Sequence, residues 1–144
     1  MDREIYTPPS GPPQGEGPSR ELYAILGQDA IFRLCADFYA ELERSSIRPM
    51  FPEDMAEASR KLAMFLTPLL GGPPLYQQQI GPPRMRARHL PFVISESERQ
   101  VWLACFFKAL EGAGERYGFP ADKLPGFKAF LEGFSGWMVN SRGE

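Results

Sequence analysis

Residues 84–94 read RMRARHLPFVI, and this stretch carries the only histidine of the chain, His89. Arginines at alternate positions lead up to the imidazole, and Pro91 follows it two residues later. Proline disfavours helical backbone angles at the residue before it, so the stretch predicts a short helix that ends near His89. A single imidazole suits a site for which one protein ligand or one base is enough.

The composition predicts one globular domain that follows a tail. The 144 residues are 43% hydrophobic and 24% charged, which is typical of a soluble domain with a core. Residues 7–18 read TPPSGPPQGEGP, so we expect residues 1–18 to be a disordered tail and residues 19–144 to be the domain. The net charge of −2 and the short apolar runs argue against nucleic-acid and membrane partners.

The two cysteines, Cys35 and Cys105, lie within apolar helical patterns and form no Cys-x-x-Cys motif. This favours reduced core thiols over a metal site or a disulfide. We therefore expect a cytoplasmic location.

Apolar residues at spacings of three and four predict an all-α fold with four substantial helices and several short ones. Ser19 is a candidate cap for a first segment that stops at Gly27, and a stripe over residues 31–42 follows. Pro52 suits the first turn of the next helix. Pro68 should kink or fray the last turn of that helix.

The second half of the domain is divided by turn signals. Residues 71–83, GGPPLYQQQIGPP, make a long helix improbable there. Ser95 and Glu98 form a Ser-x-x-Glu capping box just before an apolar stripe. The last helix should begin between Pro120 and Pro125.

The familiar motifs of nucleotide binding and hydrolysis are missing from the sequence. There is no Gly-x-Gly-x-x-Gly after a strand, no phosphate-binding loop, and no nucleophile elbow around Ser95. One histidine and two distant cysteines are also a poor start for a structural zinc site, which needs four ligands.

Haem is the main cofactor for which one histidine is enough, because the porphyrin supplies four ligands and the protein a fifth. Neighbouring arginines suit its propionates, although a lone histidine is more often structural or solvated. Tyr39 and Trp102 lie on apolar stripes, and each carries a donor that needs a partner when buried. Each donor can reach a backbone carbonyl or solvent, or point at a ligand.

Five segments together resemble a truncated haemoglobin of group II, the short globin with a two-over-two helical sandwich around haem. The resemblance runs from about Leu22 to Val139. The segments are FYAEL (38–42), MFPEDM (50–55), KLAMFLTPLLGGPPLY (61–76), PRMRARHLPFVIS (83–95) and ERQVWLACFFKAL (98–110).

The resemblance implies a role for each matching residue. His89 is implied as the iron ligand, and Tyr39 and Trp102 as the distal donors. The distal gate and wall are implied at Ala58 and Leu62. The remaining implied haem contacts are Phe51, Lys61, Tyr76, Met85, Arg88 and Phe92, of which Lys61, Tyr76 and Arg88 are implied propionate partners.

The sequence departs from the family pattern at three positions. Phe51 lacks the hydroxyl of the tyrosine that many members carry there. Pro82 occupies a place that is often histidine, and Pro68 lies late in the third helix. Tyr39 and Trp102 are therefore the expected distal donors.

The function implied by the resemblance is binding of dioxygen, carbon monoxide, nitric oxide or similar small ligands to protohaem IX. A haem-dependent redox enzyme, such as a nitric oxide dioxygenase or a peroxidase-like enzyme served by a reductase, is the alternative. A cofactor-free helical interaction module is the remote one. Relatives in this group are often dimers, so a homodimer is also expected.

Overall fold

The computed structural model of the chain describes residues 3–15 and 17–143. Within these residues the fold is all-α, as predicted, and contains no strand. None of the described helices is long and apolar enough to cross a membrane. The helices are α1 (Leu22–Glu43), α2 (Met55–Leu69), α3 (Leu75–Gln79), α4 (Met85–His89), α5 (Glu96–Ala109), α6 (Ala113–Tyr117) and α7 (Leu124–Met138), with 3-10 turns at Arg48–Met50 and Ala121–Lys123.

Four long helices form the body of the domain. Helix α1 packs against α2 and α5, and α5 packs against α7. Phe38 of α1 stacks on Phe106 of α5 with ring centroids 4.1 Å apart, and Phe127 of α7 meets Phe106 edge-on. All three rings are fully buried. Because each buried side chain of this size stabilises the fold by about 1.5–3 kcal/mol, these aromatic contacts hold the layers together.

The helix boundaries confirm some predicted signals and correct two. Ser19 was wrongly predicted to cap α1, because Glu21 is the residue that precedes its first turn. Gly27 adopts a non-helical conformation that bends α1 at the predicted break. Pro52 was wrongly predicted to lie in the first turn of α2, because Asp54 is the residue whose carboxylate accepts from the Glu57 amide at 3.0 Å. The predicted capping box is present, since the Ser95 amide donates to Glu98 at 2.7 Å.

A glycine pair after α2 allows two parts of the chain to approach closely. Gly71 has a φ of +97°, and a Cβ there would lie 1.9 Å from the carbonyl oxygen of Arg20. A Cβ on Gly72 would lie 2.4 Å from the ring of Tyr23, whose amide donates to Leu70 at 2.8 Å. The segment that enters α1 can therefore cross the end of α2 only where side chains are missing.

The described residues of the predicted tail form no helix or strand, and some of them contact the domain. Arg3 and Tyr6 hydrogen-bond to residues near the C-terminal end of the domain. A guanidinium that meets several carbonyls forms charge-assisted bonds, and these offset part of the ordering entropy. Residues 1, 2 and 16 of the predicted tail and residue 144 of the predicted domain lie outside the described residues.

Both cysteines are free thiols. Cys35 is fully buried, as expected of a core thiol, whereas Cys105 is half-buried. Burial raises the pKa of both thiols, which keeps them protonated at neutral pH.

Candidate functional site

A cavity of about 390 Å³ lies among α1, α2, α4, α5 and α7. Its size falls within the range of roughly 300–1,000 Å³ that is usual for cofactor pockets. The structure brings all of the predicted site residues to its wall. They are Tyr39, Phe51, Ala58, Lys61, Leu62, Tyr76, Met85, Arg88, His89, Phe92 and Trp102.

The imidazole of His89 is oriented by its own short helix. Its Nδ1 lies 2.6 Å from the carbonyl oxygen of Met85, one turn earlier in α4. Because a carbonyl can only accept, Nδ1 donates the proton and Nε2 of the neutral ring keeps its lone pair. This is the arrangement that prepares a histidine to bind a metal through Nε2.

His89 would be the sole protein ligand of a metal in this cavity. Among residues 3–15 and 17–143, no three or more His, Cys, Asp or Glu side chains gather as a metal site. The arrangement therefore fits an ion whose other ligands come with the cofactor, as they do in a porphyrin.

Tyr39 and Trp102 approach the cavity from two different helices and rest on one shared ring. Phe38 contacts each of them edge-on, with ring centroids 5.3 Å apart in both cases. Neither the Tyr39 hydroxyl nor the Trp102 indole N–H hydrogen-bonds another described residue, so neither donor is used by a backbone carbonyl. Burial, with a smaller contribution from Cys35, raises the pKa of Tyr39, and the phenol keeps its proton at neutral pH.

Positive charge gathers at the mouth of the cavity. Lys61 and Arg88 are exposed residues that also line the cavity. The Arg88 guanidinium donates to the carbonyls of Pro83 at 2.6 Å and Pro82 at 3.0 Å, and it lies 5.4 Å from the centre of the Tyr76 ring. These bonds hold Arg88 beside the mouth, where a carboxylate of a bound group would meet cationic partners.

The rest of the predicted wall is apolar. Phe51 lies edge-on to Tyr39 with ring centroids 5.8 Å apart. Phe92 is 46% exposed, although its ring centroid lies 6.3 Å from that of His89. Such an exposed ring beside an imidazole leaves apolar surface that a flat hydrophobic cofactor can cover.

Sequence reasoning missed about half of the wall. Phe65, Phe134 and Met138 resembled ordinary core residues, since each lies on an apolar helical stripe. Helical spacing held a usable signal, because Phe65 follows Leu62 by one turn and Glu98 precedes Trp102 by one turn. The additional lining residues are Ile47, Met50, Pro52, Phe65, Ile94, Glu98, Arg99, Phe134, Ser135 and Met138.

Arg99 contributes a charged side chain that is already fully engaged. Its guanidinium donates to Glu96, to the hydroxyl of Ser135 at 3.0 Å and to the carbonyl of Glu132 at 2.8 Å. Arg99 therefore ties the start of α5 to α7 along one side of the cavity.

The chain is similar to known globins in both sequence and structure. Residues 21–130 match the family model described as bacterial-like globin. Group 2 truncated hemoglobin YjbI of Bacillus subtilis (strain 168) is 40% identical over 93 residues, which are 64% of this chain and 70% of that protein.

Two solved structures share the fold. Phosphate-bound Hell's gate globin IV aligns with a TM-score of 0.82 and 33% identity, covering 92% of this chain and 82% of that one. The truncated oxygen-avid haemoglobin from Bacillus subtilis aligns with a TM-score of 0.75 and 35% identity, covering 82% of this chain and 98% of that one. The chain therefore belongs to the bacterial-like globin family and, within it, to the group II truncated haemoglobins.

Proposed function

We propose that the protein binds protohaem IX and uses it to bind dioxygen or a similar small ligand. The observation that carries this proposal is the orientation of His89, whose Nδ1 lies 2.6 Å from the Met85 carbonyl oxygen while the ring lines a largely apolar cavity. Membership of the globin family implies haem as the group that occupies such a cavity.

The residues of the cavity fit haem in three respects. One imidazole supplies the single protein ligand that the iron needs. Rings and aliphatic side chains cover most of the wall, as a porphyrin face requires. Lys61 and Arg88 provide cations at the mouth for two carboxylates, and Tyr76 lies beside Arg88.

Bound haem supplies an iron centre that takes small diatomic ligands. The chain supplies the surroundings of that ligand. Tyr39 and Trp102 offer two neutral donors, Ala58 leaves a small side chain at the proposed gate, and Leu62 forms an apolar wall. The related Bacillus subtilis haemoglobin is described as oxygen-avid, which supports dioxygen as a ligand here.

Redox turnover of nitric oxide or peroxide is a second candidate function. The polarity of the distal pocket influences whether a haem protein stores a ligand or activates it. Glu98, whose Oε1 accepts from Ser95 in the capping box, also lines the cavity beyond the two neutral donors, and this carboxylate favours the second candidate. Turnover would also need a reductase, which stays a prediction, as do a homodimer and a cytoplasmic location.

Titration of the purified full-length chain with haem tests the proposal directly. We expect a saturable one-to-one complex with an intense Soret band, because His89 ligates the iron. His89→Ala should weaken or remove that complex, whereas Gln78→Ala, at an exposed position of α3 outside the cavity, should not. A wild-type chain that is folded by circular dichroism but takes up no haem would contradict the proposal and favour a cofactor-free interaction module.

A further inference from the structure

The segment at residues 3–6 is bound to the backbone that follows His89. The Arg3 guanidinium donates to the carbonyls of Leu90 and Phe92, both at 2.8 Å, and to the carbonyl and side-chain oxygens of Asn140, both at 3.0 Å. These bonds cross 87 to 137 residues of sequence. One side chain therefore joins the beginning of the described chain, its end, and the exit from the histidine helix.

Asn140 is the centre of this network. It is fully buried, and its amide nitrogen donates to the carbonyls of His89 at 3.2 Å and Phe92 at 2.9 Å. Its side-chain oxygen accepts from the Ile94 amide at 3.0 Å as well as from Arg3. Both donors and the acceptor of this side chain are engaged, and they fix the backbone from residue 89 to residue 94.

Arg86 completes the network from inside α4. Its guanidinium donates to the carbonyls of Trp137 and Val139, and to the carbonyl of Tyr6 at 2.9 Å. It also lies 4.5 Å from the centre of the Trp137 ring. Arg86, one of the alternating arginines before His89, therefore attaches α4 to the end of α7 and to the N-terminal segment.

The proline-rich residues continue this path along α7. Pro13 packs beside Gly133, and a Cβ added to Gly133 would lie 3.5 Å from the Cβ of Pro13. Prolines have few conformations to lose when they are ordered, so a proline-rich segment can lie on a surface at low entropic cost. The small residues of α7 allow the segment to approach the helix.

We propose that residues 3–6 act as a strap on the side of the cavity that carries His89, the proximal side. Arg3 of the strap, together with Arg86 and Asn140, positions His89. Helix α4 has only five residues, which is too short to hold its own conformation. The imidazole is oriented by a carbonyl of that same helix, so whatever fixes the backbone of α4 also fixes the ring. The inference rests on the proposed function, because it assigns to the strap the orientation of the iron ligand.

Arg3→Ala in the full-length chain tests the strap without touching the cavity wall. Arg44→Ala is the matched control, since Arg44 is an exposed arginine that pairs with Glu41 of α1. In the haem-free protein we expect amide exchange at Ile94 to accelerate by about tenfold in Arg3→Ala, because the loss of charge-assisted bonds loosens the backbone there. Arg3→Lys keeps the charge but loses the planar guanidinium, so its exchange rate at Ile94 should lie between those of the wild type and Arg3→Ala.

The haem complex provides the second readout. In the ferrous protein without added ligand, we expect Arg3→Ala to shift or broaden the iron–histidine stretching band and to lose haem several-fold faster than Arg44→Ala does. If exchange accelerates while the band and the rate of haem loss stay at control values, the strap is structural and the positioning role is wrong. If Arg3→Ala matches Arg44→Ala in every measurement, the strap itself is wrong.

The two proposals fail in distinguishable ways. Absence of haem uptake by the wild-type chain overturns the proposed function, and the positioning role falls with it. Haem uptake with an unchanged Arg3→Ala variant overturns only the strap.

Discussion

At the scale of single residues, the candidate site depends on three side chains that line the cavity, His89, Tyr39 and Trp102. His89 has one nitrogen committed to a carbonyl and one free. Tyr39 and Trp102 face the same cavity with donors that no described residue accepts. Both side chains are partly buried, and donors that reach a largely apolar cavity suit a small polar guest there.

Removing either donor should weaken the hold on a bound ligand. We expect Tyr39→Phe and Trp102→Phe each to raise the dioxygen dissociation rate by roughly tenfold to a hundredfold, because a hydrogen bond to a charged group contributes about 1.5–3 kcal/mol. Stopped-flow displacement of dioxygen measures this rate. Phe130→Leu, in the aromatic cluster of α7 but outside the cavity wall, serves as the control.

Unchanged dissociation in both donor variants would rule out the distal assignment. A change in only one would show that the other donor points away from the ligand. Phe38 contacts both rings edge-on, so a substitution of Phe38 should displace both donors.

Residue roles were predictable where a residue type was rare or out of place. A single histidine, and donors on apolar stripes, attract attention in a sequence. Phe134 and Met138 did not, because an aromatic or aliphatic residue on a helix face has the same pattern whether it meets a core or a cavity. Asn140 and Arg3 were unreadable, since their bonds join positions 137 residues apart.

At the scale of elements, the site depends on short segments between long helices. The long helices α1, α2, α5 and α7 follow apolar periodicity and were predicted. Helix α3 lies within residues 71–83, which were interpreted mainly as a break, because three glycines and four prolines surround its five residues. The start of α2 was misplaced, since proline and aspartate both favour helix starts and only the geometry chooses between them.

The glycine pair after α2 makes a sharp prediction about stability. Gly71→Ala should lower the free energy of unfolding by about 2–4 kcal/mol, because the added Cβ meets the Arg20 backbone and φ is positive. Gly126→Ala, in α7 with no atom within 4 Å of the added Cβ, should be neutral or stabilise by up to about 1 kcal/mol. Urea unfolding followed by circular dichroism compares the two.

Equal losses of stability in Gly71→Ala and Gly126→Ala would show that the close approach of the Arg20 backbone to Gly71 does not require a glycine. Gly72→Ala is an informative third variant, because its added Cβ meets the side chains of Tyr23 and Thr67 rather than backbone. Side chains can move aside, so its cost should fall below that of Gly71→Ala.

At the scale of the whole molecule, stability should fall in alkaline solution. Burial raises the pKa of Cys35 and Tyr39, and burial together with the bond to Asp37 raises that of Tyr117. A raised pKa in the folded state means that the unfolded chain releases its proton first. The stability is therefore complete below the ordinary thiol pKa of 9.0 and is lost as pH rises towards the raised values.

Urea unfolding of the haem-free protein between pH 8 and pH 11 measures this dependence. Cys35 and Tyr39 should each contribute a slope of about 1.4 kcal/mol per pH unit once they are ionised only in the unfolded chain. Tyr39→Phe removes one group and should reduce the slope above pH 10. An identical slope in both proteins would contradict the buried, protonated state of Tyr39.

The sequence predicted the fold of the whole molecule, but it did not predict how residues 3–6 attach to the C-terminal end of the domain. Helical periodicity and the family resemblance together predicted a truncated globin, and the comparisons confirm that fold. The attachment of residues 3–6 to residue 140 was not predictable, because proline-rich composition indicates only a weak preference for structure. Composition also gives no information about the hydrogen bonds that a single residue such as Arg3 forms.

The bond between Asn140 and the carbonyl of His89 has a consequence for how the protein is made. Synthesis proceeds from the N-terminus, and 51 residues separate the two partners, so His89 is synthesised before its partner Asn140. A five-residue helix does not keep its shape alone. The bonds that fix the backbone around His89 can therefore form only after α7 and Asn140 have been synthesised.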